Sequence, residues 1–246
     1  CILIEPGSGS CEKVRLLLDK IQPAAYVPLD ISADFLYQSA RKLGQEFPWL
    51  SIHAICADFS DQWQARTDLE NGRRVIFYPG STIGNMEPNR AQAFLSNLRE
   101  WIGEDGSVLI GVDLQKSDHL LNAAYNDAKG VTAEFNLNVL NSINSLVNAD
   151  FNADSFSHHA FYNSTLKRIE MHLISQQAQT VTIGDNIIHF DKDEVLHTEN
   201  SYKYSIESFS ALSNAAEFTL EKNWLDEDKL FSVHYLKISK ASISYV

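Results

Sequence analysis

Short apolar runs alternate with amphipathic segments over the first part of the chain. Because the apolar runs have few polar positions, they predict strands that are buried on both faces. Such an alternation is typical of a doubly wound, mostly parallel sheet. The predicted strands are residues 2–5, 26–30, 52–57, 74–79 and 107–113, and the predicted helices are 12–21, 32–46 and 88–101.

The pattern changes after Leu114. Helical spacing over 117–128 and 132–148 is followed by strand-like stretches at 168–177, 179–190 and 194–204. A helix at 206–215 follows. Two long strands, 218–225 and 230–239, come next and are predicted to form an antiparallel pair at the edge of the sheet. We therefore predict an α/β fold: a Rossmann-like core of residues 1–115 and 205–246, with an inserted α+β subdomain of residues 116–204.

Composition and charge narrow the class of protein. The net charge of −12 argues against binding nucleic acid or an anionic membrane. No apolar run approaches the ~20 residues of a membrane span, and no charged-then-apolar leader opens the chain. The three cysteines are too few for a disulfide framework, which favours a cytoplasmic setting, and the eight histidines lack metal-binding spacing. Since the first residue is Cys1 rather than Met, we expect the natural protein to begin upstream.

The first candidate site is the turn in ILIEPGSGSCEK, where Gly7 and Gly9 separate a strand from a helix. Glycines at such a turn let the backbone pass close to a ligand. The third glycine of a dinucleotide fingerprint is absent, and so is the lysine of a P-loop. Taken alone, the two glycines also fit an ordinary strand–helix turn.

Three carboxylates accompany this turn. Asp30 ends the second strand, where a carboxylate accepts both hydroxyls of a ribose, and Asp58 follows the third strand, near the place of an adenine. Glu5 precedes the glycines, where its charge suits a cation better than a pyrophosphate. The set favours S-adenosylmethionine, which carries a sulfonium and an ammonium, over NAD. Each acid taken singly also fits a helix cap or a solvated turn.

Further motifs carry a resemblance to a known family. EPGSGSCEK, YPGSTIGNMEP, GVTAEFNLNVL, ADF, RIEM and TENSYKY occur in order between Ile2 and about Ile238. Together they resemble the histidine-specific, S-adenosylmethionine-dependent N-alpha-methyltransferases of ergothioneine biosynthesis. The resemblance implies a methyltransferase core, an inserted substrate-binding domain, S-adenosylmethionine as cofactor, and methylation of the α-amine of L-histidine to the trimethylated betaine.

The resemblance also implies roles for individual residues. In the cofactor site, Glu5, Gly7, Gly9 and Lys13 would line the ligand, Asp30 would bind the ribose, and Asp58 and Phe59 would border the adenine. In the substrate site, a Gly80 carbonyl would meet the amine, Asn85 the amine and carboxylate, and Tyr125 the carboxylate, with Asn85 and Tyr125 as the catalytic pair. Thr132 and Phe135 would border the pocket, Met171 would pack beside the imidazole, and Glu199 and Ser201 would bond its nitrogens.

The chemistry of the residues agrees with these roles. Glu199 and Ser201 are two apart on a predicted strand, so both side chains face the same way and can bond one ring. A buried carboxylate needs donors, which an amide and a phenol supply. Met171 also fits a plain core position.

Two alternatives stay open: a related enzyme acting on another aromatic amino acid such as tryptophan, and a non-catalytic relic of the fold. The resemblance also implies an N-terminal helical segment whose tyrosine reaches the imidazole, and we expect that segment to lie upstream of Cys1 unless it has been lost. The chain departs from the family in having Pro6 in place of an aliphatic residue and Tyr204 in place of a phenylalanine. The sequence does not indicate an oligomeric state.

Overall fold

The computed structural model describes residues 1–59 and 72–239. The chain divides into two compact units. Unit 1 consists of Cys1–Ile83, Glu87–Leu114 and Tyr204–Val246, and unit 2 of Gly84–Met86 and Gln115–Lys203. Across the described ranges, no helix has the length and apolar character needed to cross a lipid bilayer.

The elements follow one another in chain order. The first part contains β1 (Ile2–Pro6), α1 (Glu12–Ile21), β2 (Ala25–Asp30), α2 (Ala33–Glu46), β3 (Ser51–Ile52), β4 (Ile55–Cys56), β5 (Arg74–Tyr78), α3 (Pro88–Ile102) and β6 (Ser107–Asp113). The middle part contains α4 (Asp118–Tyr125), α5 (Val131–Val147), β7 (Phe156–Asn163), β8 (Arg168–Ser175), β9 (Gln179–Ile183), β10 (Asn186–Phe190) and β11 (Val195–Tyr202). The last part contains α6 (Ile206–Ala215), β12 (Phe218–Leu225) and β13 (Phe231–Ile238).

Unit 1 is built on one eight-stranded sheet. Its strand order is β12-β13-β6-β5-β1-β2-β3, with β4 also paired to β2. The pairs from β6 to β3 are parallel, whereas β13 runs antiparallel to both β6 and β12. This arrangement confirms the predicted doubly wound fold and its antiparallel edge pair. The strand order reverses between β1 and β5, the position at which such sheets bind ligands.

The central strands β1 and β2 of unit 1 form because their residues are buried on both faces. All five residues of β1 are buried, and so are five of the six residues of β2. One core cluster joins Leu3 and Tyr26 to Val14 and Leu18 of α1. This packing fixes α1 against the sheet and so determines the direction of the loop between β1 and α1.

Unit 2 combines two helices with two small antiparallel sheets. Strands β11, β8 and β7 form one sheet, and β10 and β9 form a hairpin. Leu121 of α4 packs with Ala160, Ile169 and Met171 of the three-stranded sheet. Leu140 of α5 belongs to a second cluster, whose other buried members are Phe151, Phe156, Leu173, Val181 and Phe190.

Two expectations from the pattern were wrong in detail, and one strand was missed. The stretch 52–57 is two short strands rather than one, because Ser51–Ile52 and Ile55–Cys56 pair with separate parts of β2. The stretch 179–190 is a hairpin that turns at Gly184, whose φ is +57°. Strand β7 was not predicted, since its polar histidines obscure the alternation.

Candidate functional site

The glycine turn is attached to the end of β2 by backbone hydrogen bonds. Gly7 and Gly9 have φ values of +65° and +52°, which glycine adopts readily. The Ser8 N–H donates to the Leu29 carbonyl at 2.9 Å, and the Gly9 N–H donates to Asp30 Oδ2 at 3.0 Å. The structure therefore brings together the turn and the carboxylate that the sequence singled out.

Asp30 uses both carboxylate oxygens to hold backbone in place. Oδ2 accepts from Gly9, and Oδ1 accepts from the Ser32 N–H at 3.0 Å, just before α2 begins. Each carboxylate oxygen has more than one acceptor position. Asp30 can therefore accept ligand hydroxyls while it orders the turn.

Phe59 covers the first glycine of the turn. A Cβ atom built on Gly7 would lie 3.2 Å from Phe59 Cζ, which is tighter than an ordinary contact. Edge contacts with Tyr78 at 6.2 Å between ring centroids position the Phe59 ring. Asp58 is exposed beside it, beyond the end of β4. The absence of a side chain at Gly7 thus lets the Phe59 ring pack directly against the turn.

Glu5 is a buried carboxyl group at the switch point of the sheet. It is 2% exposed, and the Tyr26 hydroxyl donates to its Oε2 at 2.5 Å. Burial raises the pKa of Glu5 to about 7, against the opposing effects of the Tyr26 hydrogen bond and the Lys13 charge. A cationic ligand nearby would favour the charged carboxylate. The carboxylates and the aromatic ring around the turn are therefore suited to a ligand that carries hydroxyls, a base and positive charge.

The loop after β5 carries the next predicted residues. A Cβ on Gly80 would lie 3.1 Å from Lys13 Nζ, so the lysine reaches this loop from α1. Ser81 has a φ of +57°, and its Oγ accepts from the Asp113 N–H at 2.8 Å. Asn85 is exposed at the end of a short 3-10 helix, Thr82–Asn85, and belongs with unit 2.

In unit 2, Tyr125 and Ser201 meet directly. Tyr125 ends α4, and its hydroxyl oxygen lies 3.0 Å from Ser201 Oγ on β11. Lys203, which the sequence analysis did not select, donates from Nζ to both oxygens at 2.8 Å. Its position two residues beyond Ser201 is the signal that could have identified it.

A β-bulge orients Glu199 and Ser201. His197 pairs with His172, but Glu199 pairs with Met171, so Thr198 is the extra residue. Because directly paired residues share a face of a sheet, Glu199 lies on the face of Met171. Burial raises the pKa of Glu199, and the Lys203 charge opposes that rise.

Three other predicted substrate residues, Met171, Thr132 and Phe135, lie in the core, in the first turn of α5 and at the surface respectively. Met171 is 2% exposed and packs in the core cluster that Tyr125 borders. Thr132 donates its N–H to Asp127 Oδ1 at 2.8 Å, in the turn that joins α4 and α5. Phe135 is 62% exposed on α5. The pocket roles of Thr132 and Phe135 stay predictions.

On the opposite face of the three-stranded sheet, Glu170, His172 and His197 place potential metal-ligand atoms within 4.8 Å of one another. Glu170 Oε1 already accepts from Arg168 Nε and Asn163 Nδ2, each at 3.0 Å. Burial and the neighbouring His197 lower the pKa of His172, despite Glu170 nearby. We interpret this group as an ion-pair network, because the guanidinium already balances the carboxylate charge.

A hollow of about 920 Å³ lies elsewhere on unit 1, among Arg73, Gly106 and Lys237. These residues lie where β5 and β6 begin and where β13 ends. Ligands of doubly wound sheets bind at the opposite, carboxyl ends of the parallel strands. The glycine turn, and not this hollow, is therefore the candidate cofactor site.

Comparisons with known proteins agree with this chemistry. A profile of the family described as "Histidine-specific methyltransferase, SAM-dependent" matches residues 1–238. The chain is 38% identical over 230 residues to a histidine N-alpha-methyltransferase from Mycolicibacterium smegmatis, covering 91% of this chain and 71% of the relative. It is 27% identical over 256 residues to a 4-dimethylallyltryptophan N-methyltransferase from Aspergillus fumigatus, covering 96% of this chain and 75% of that protein.

A solved S-adenosylmethionine-dependent methyltransferase from Clostridium acetobutylicum has a similar fold. The TM-score is 0.54 at 9% identity, with 97% of this chain and 84% of that chain covered. At this identity, the likeness concerns the fold alone.

Proposed function

The chain belongs to the family of histidine-specific, S-adenosylmethionine-dependent methyltransferases, and from this we propose that it methylates the α-amine of L-histidine to the trimethylated betaine. It is an enzyme, and S-adenosylmethionine is its methyl donor. The observation that carries the choice of substrate is the arrangement on β11, where Glu199 and Ser201 share one face and Tyr125 lies 3.0 Å from Ser201.

On the cofactor side, S-adenosylmethionine supplies a methyl group made electrophilic by its bond to a sulfonium. The glycine turn allows the backbone to approach the ligand, and Asp30 accepts from the ribose hydroxyls. Phe59 and Asp58 border the adenine. The Glu5 carboxylate favours the positive charge of S-adenosylmethionine, and the Lys13 ammonium can pair with the carboxylate of the same ligand.

On the substrate side, each polar group of histidine has a partner of matching chemistry. Tyr125 and Asn85 donate to the carboxylate, and the Gly80 carbonyl accepts from the amine. Glu199 accepts from one ring N–H and Ser201 bonds the other nitrogen, while Met171 packs beside the ring. Rate enhancement then comes mainly from holding the amine in place and excluding water.

Histidine fits this site better than tryptophan does. An imidazole has two ring nitrogens, one on each side, and therefore uses both Glu199 and Ser201. An indole offers one N–H and leaves the second group without a ring partner, which is costly in a buried site.

We expect the substrate to be met in a reducing cytoplasm, since Cys1, Cys11 and Cys56 are free thiols.

Titration calorimetry with S-adenosylhomocysteine present tests the assignment. We expect the wild type to bind histidine in preference to tryptophan, and mass spectrometry to detect mono-, di- and trimethylated histidine after incubation with S-adenosylmethionine. Glu199→Gln removes a charged acceptor, and histidine affinity should fall by about 10- to 100-fold. Glu134→Gln, an exposed change on α5, is the matched control.

Three results would contradict the proposal in different ways. Preferred binding of tryptophan would assign the site to another aromatic amine. Binding of both ligands without any methylated product would favour a non-catalytic relic. A product that stops at one or two methyl groups would remove the betaine from the proposal.

A further inference from the structure

Lys203 places a buried ammonium group directly behind two predicted substrate contacts. The residue is 2% exposed, and its Nζ donates to Tyr125 Oη and Ser201 Oγ, both at 2.8 Å. The same Nζ lies 4.8 Å from the centroid of the Tyr125 ring. One charged group therefore contacts α4 and β11 at the point where the two elements meet.

The backbone around Lys203 keeps the ammonium in this position. Its N–H donates to the Lys167 carbonyl at 2.8 Å, and its carbonyl accepts from Gln115 Nε2 at 3.2 Å. Lys203 also continues the alternation of Glu199 and Ser201 beyond the end of β11. A lysine held this way stays buried although its charge is costly to desolvate.

The contacts of Lys203 limit what the two hydroxyl groups can do. Each hydroxyl has one donor and two acceptor positions, and the ammonium occupies one acceptor position on each oxygen. The two O–H groups are consequently directed away from Lys203: the Tyr125 hydroxyl donates to Ser201 Oγ at 3.0 Å, and the Ser201 O–H is left for a ligand. Hydrogen bonds from an ammonium also strengthen the donor character of the hydroxyl that receives them.

We propose that Lys203 is a positioning residue for the amino-acid substrate, acting through Tyr125 and Ser201. This inference rests on the proposed function, because it assigns Tyr125 to the histidine carboxylate and Ser201 to the imidazole. Lys203 links the two ends of the substrate: one ammonium orients the donor for the carboxylate and the hydroxyl for the ring. Its positive charge also favours the anionic carboxylate of the ligand and the ionised form of Glu199.

A double-mutant cycle separates positioning from simple core filling. Lys203→Met removes the charge and the hydrogen bonds to Tyr125 and Ser201 but keeps the apolar stem. In the wild-type background, we expect it to weaken histidine binding by about tenfold or more, with S-adenosylhomocysteine affinity unchanged. In a Tyr125→Phe/Ser201→Ala background, the same change should weaken histidine binding by less than about threefold.

Two further variants complete the test. Lys192→Met changes an exposed lysine of unit 2 and should leave histidine affinity as in the wild type. Lys203→Gln keeps a neutral donor, and we expect a smaller loss than with methionine. It also tests the inference if Lys203→Met does not fold.

The outcomes distinguish this inference from the function on which it rests. If Lys203→Met and Lys203→Gln bind histidine as the wild type does, Lys203 does not position the substrate. Equal losses in both backgrounds would mean that Lys203 does not act through the two hydroxyls, and this too overturns the inference. A wild-type protein that binds S-adenosylhomocysteine but not histidine would instead overturn the proposed function.

Discussion

Glu5 is a residue whose charge is unfavourable for folding and favourable for a cationic ligand. Its carboxyl is 2% exposed, and its pKa is raised by burial to about 7 from an ordinary 4.5. Between these two values, the folded protein holds a proton that the unfolded chain has released. The free energy of unfolding therefore falls as the pH rises from about 4.5 to 7, by about 3 kcal/mol from this group.

Replacing Glu5 with Gln should remove this penalty. The amide keeps an acceptor for the Tyr26 hydroxyl and carries no charge. Denaturant unfolding should show a variant that is more stable than the wild type at about pH 8 and equal to it near pH 4, while S-adenosylmethionine binds more weakly. A stability difference that is constant over this pH range would contradict the explanation.

At the scale of single residues, the sequence identified the acidic and glycine positions but not their partners. Asp30 was expected beside the glycine turn, because residues at the ends of adjacent parallel strands meet at one edge of the sheet. Tyr26 and Lys203 were missed, since each contacts its partner only after strands have paired and helices have packed. Local pattern indicates which side chains share a face, whereas hydrogen-bond partners depend on tertiary structure.

At the scale of elements, the bulge in β11 determines which side chains face α4. Thr198 Oγ1 lies 2.6 Å from Asn136 Oδ1 and 2.8 Å from the Met171 carbonyl, so its hydroxyl holds the extra residue in place. Asn136 is fully buried on α5 and also donates to the His172 carbonyl at 3.1 Å. The bulge is thus fixed by two groups outside its own strand, the Asn136 side chain and the Met171 carbonyl.

Thr198→Val tests this element. Valine has a similar shape but no hydroxyl, so buried acceptors lose their donor, and we expect a loss of about 1–3 kcal/mol in stability. Histidine binding should weaken several-fold while S-adenosylhomocysteine binding is unchanged. Urea unfolding and calorimetry measure both effects, and Thr180→Val, at an exposed position on β9, is the control. Unchanged histidine affinity in a destabilised variant would show that the bulge serves the fold alone.

Strands that are continuous apolar runs were predicted well. Strands whose bounds depend on pairing with a neighbouring strand were not. Strands β1, β2 and β6 are buried on both faces and were found from composition. The break between β3 and β4 and the whole of β7 are set by their pairing with β2 and β8. A bulge such as that at Thr198 has no signature in the sequence, because it exists only relative to the neighbouring strand.

At the scale of the molecule, the chain divides at Leu114 and Tyr204, so unit 2 is an insertion in the chain of unit 1. The roles of unit 1 as cofactor-binding core and of unit 2 as substrate-binding domain remain our proposals. Each unit has its own buried cluster, which is the physical basis for treating them separately. The sequence predicted a change of pattern after Leu114, because alternating strands and helices gave way to antiparallel stretches.

Hydrogen exchange should report the two ligands in different parts of the chain. S-adenosylhomocysteine should slow amide exchange at residues 7–11 and 30–32, which form the glycine turn and the Asp30 cap. Histidine, added with S-adenosylhomocysteine, should slow exchange further at 122–126 and 199–203. Mass spectrometry of peptides measures both, and histidine protection found only outside unit 2 would contradict the assigned site.

The insertion also has a consequence for synthesis on the ribosome. Strand β6 pairs with β13, but β13 emerges only after all of unit 2 has been translated. At typical elongation rates this interval is on the order of ten seconds, during which the growing chain presents an unpaired β6 edge that contains Val108, Leu109, Ile110 and Val112. Nascent-chain chaperones that recognise extended apolar segments would bind this edge of β6. They would be displaced when β13 pairs with β6.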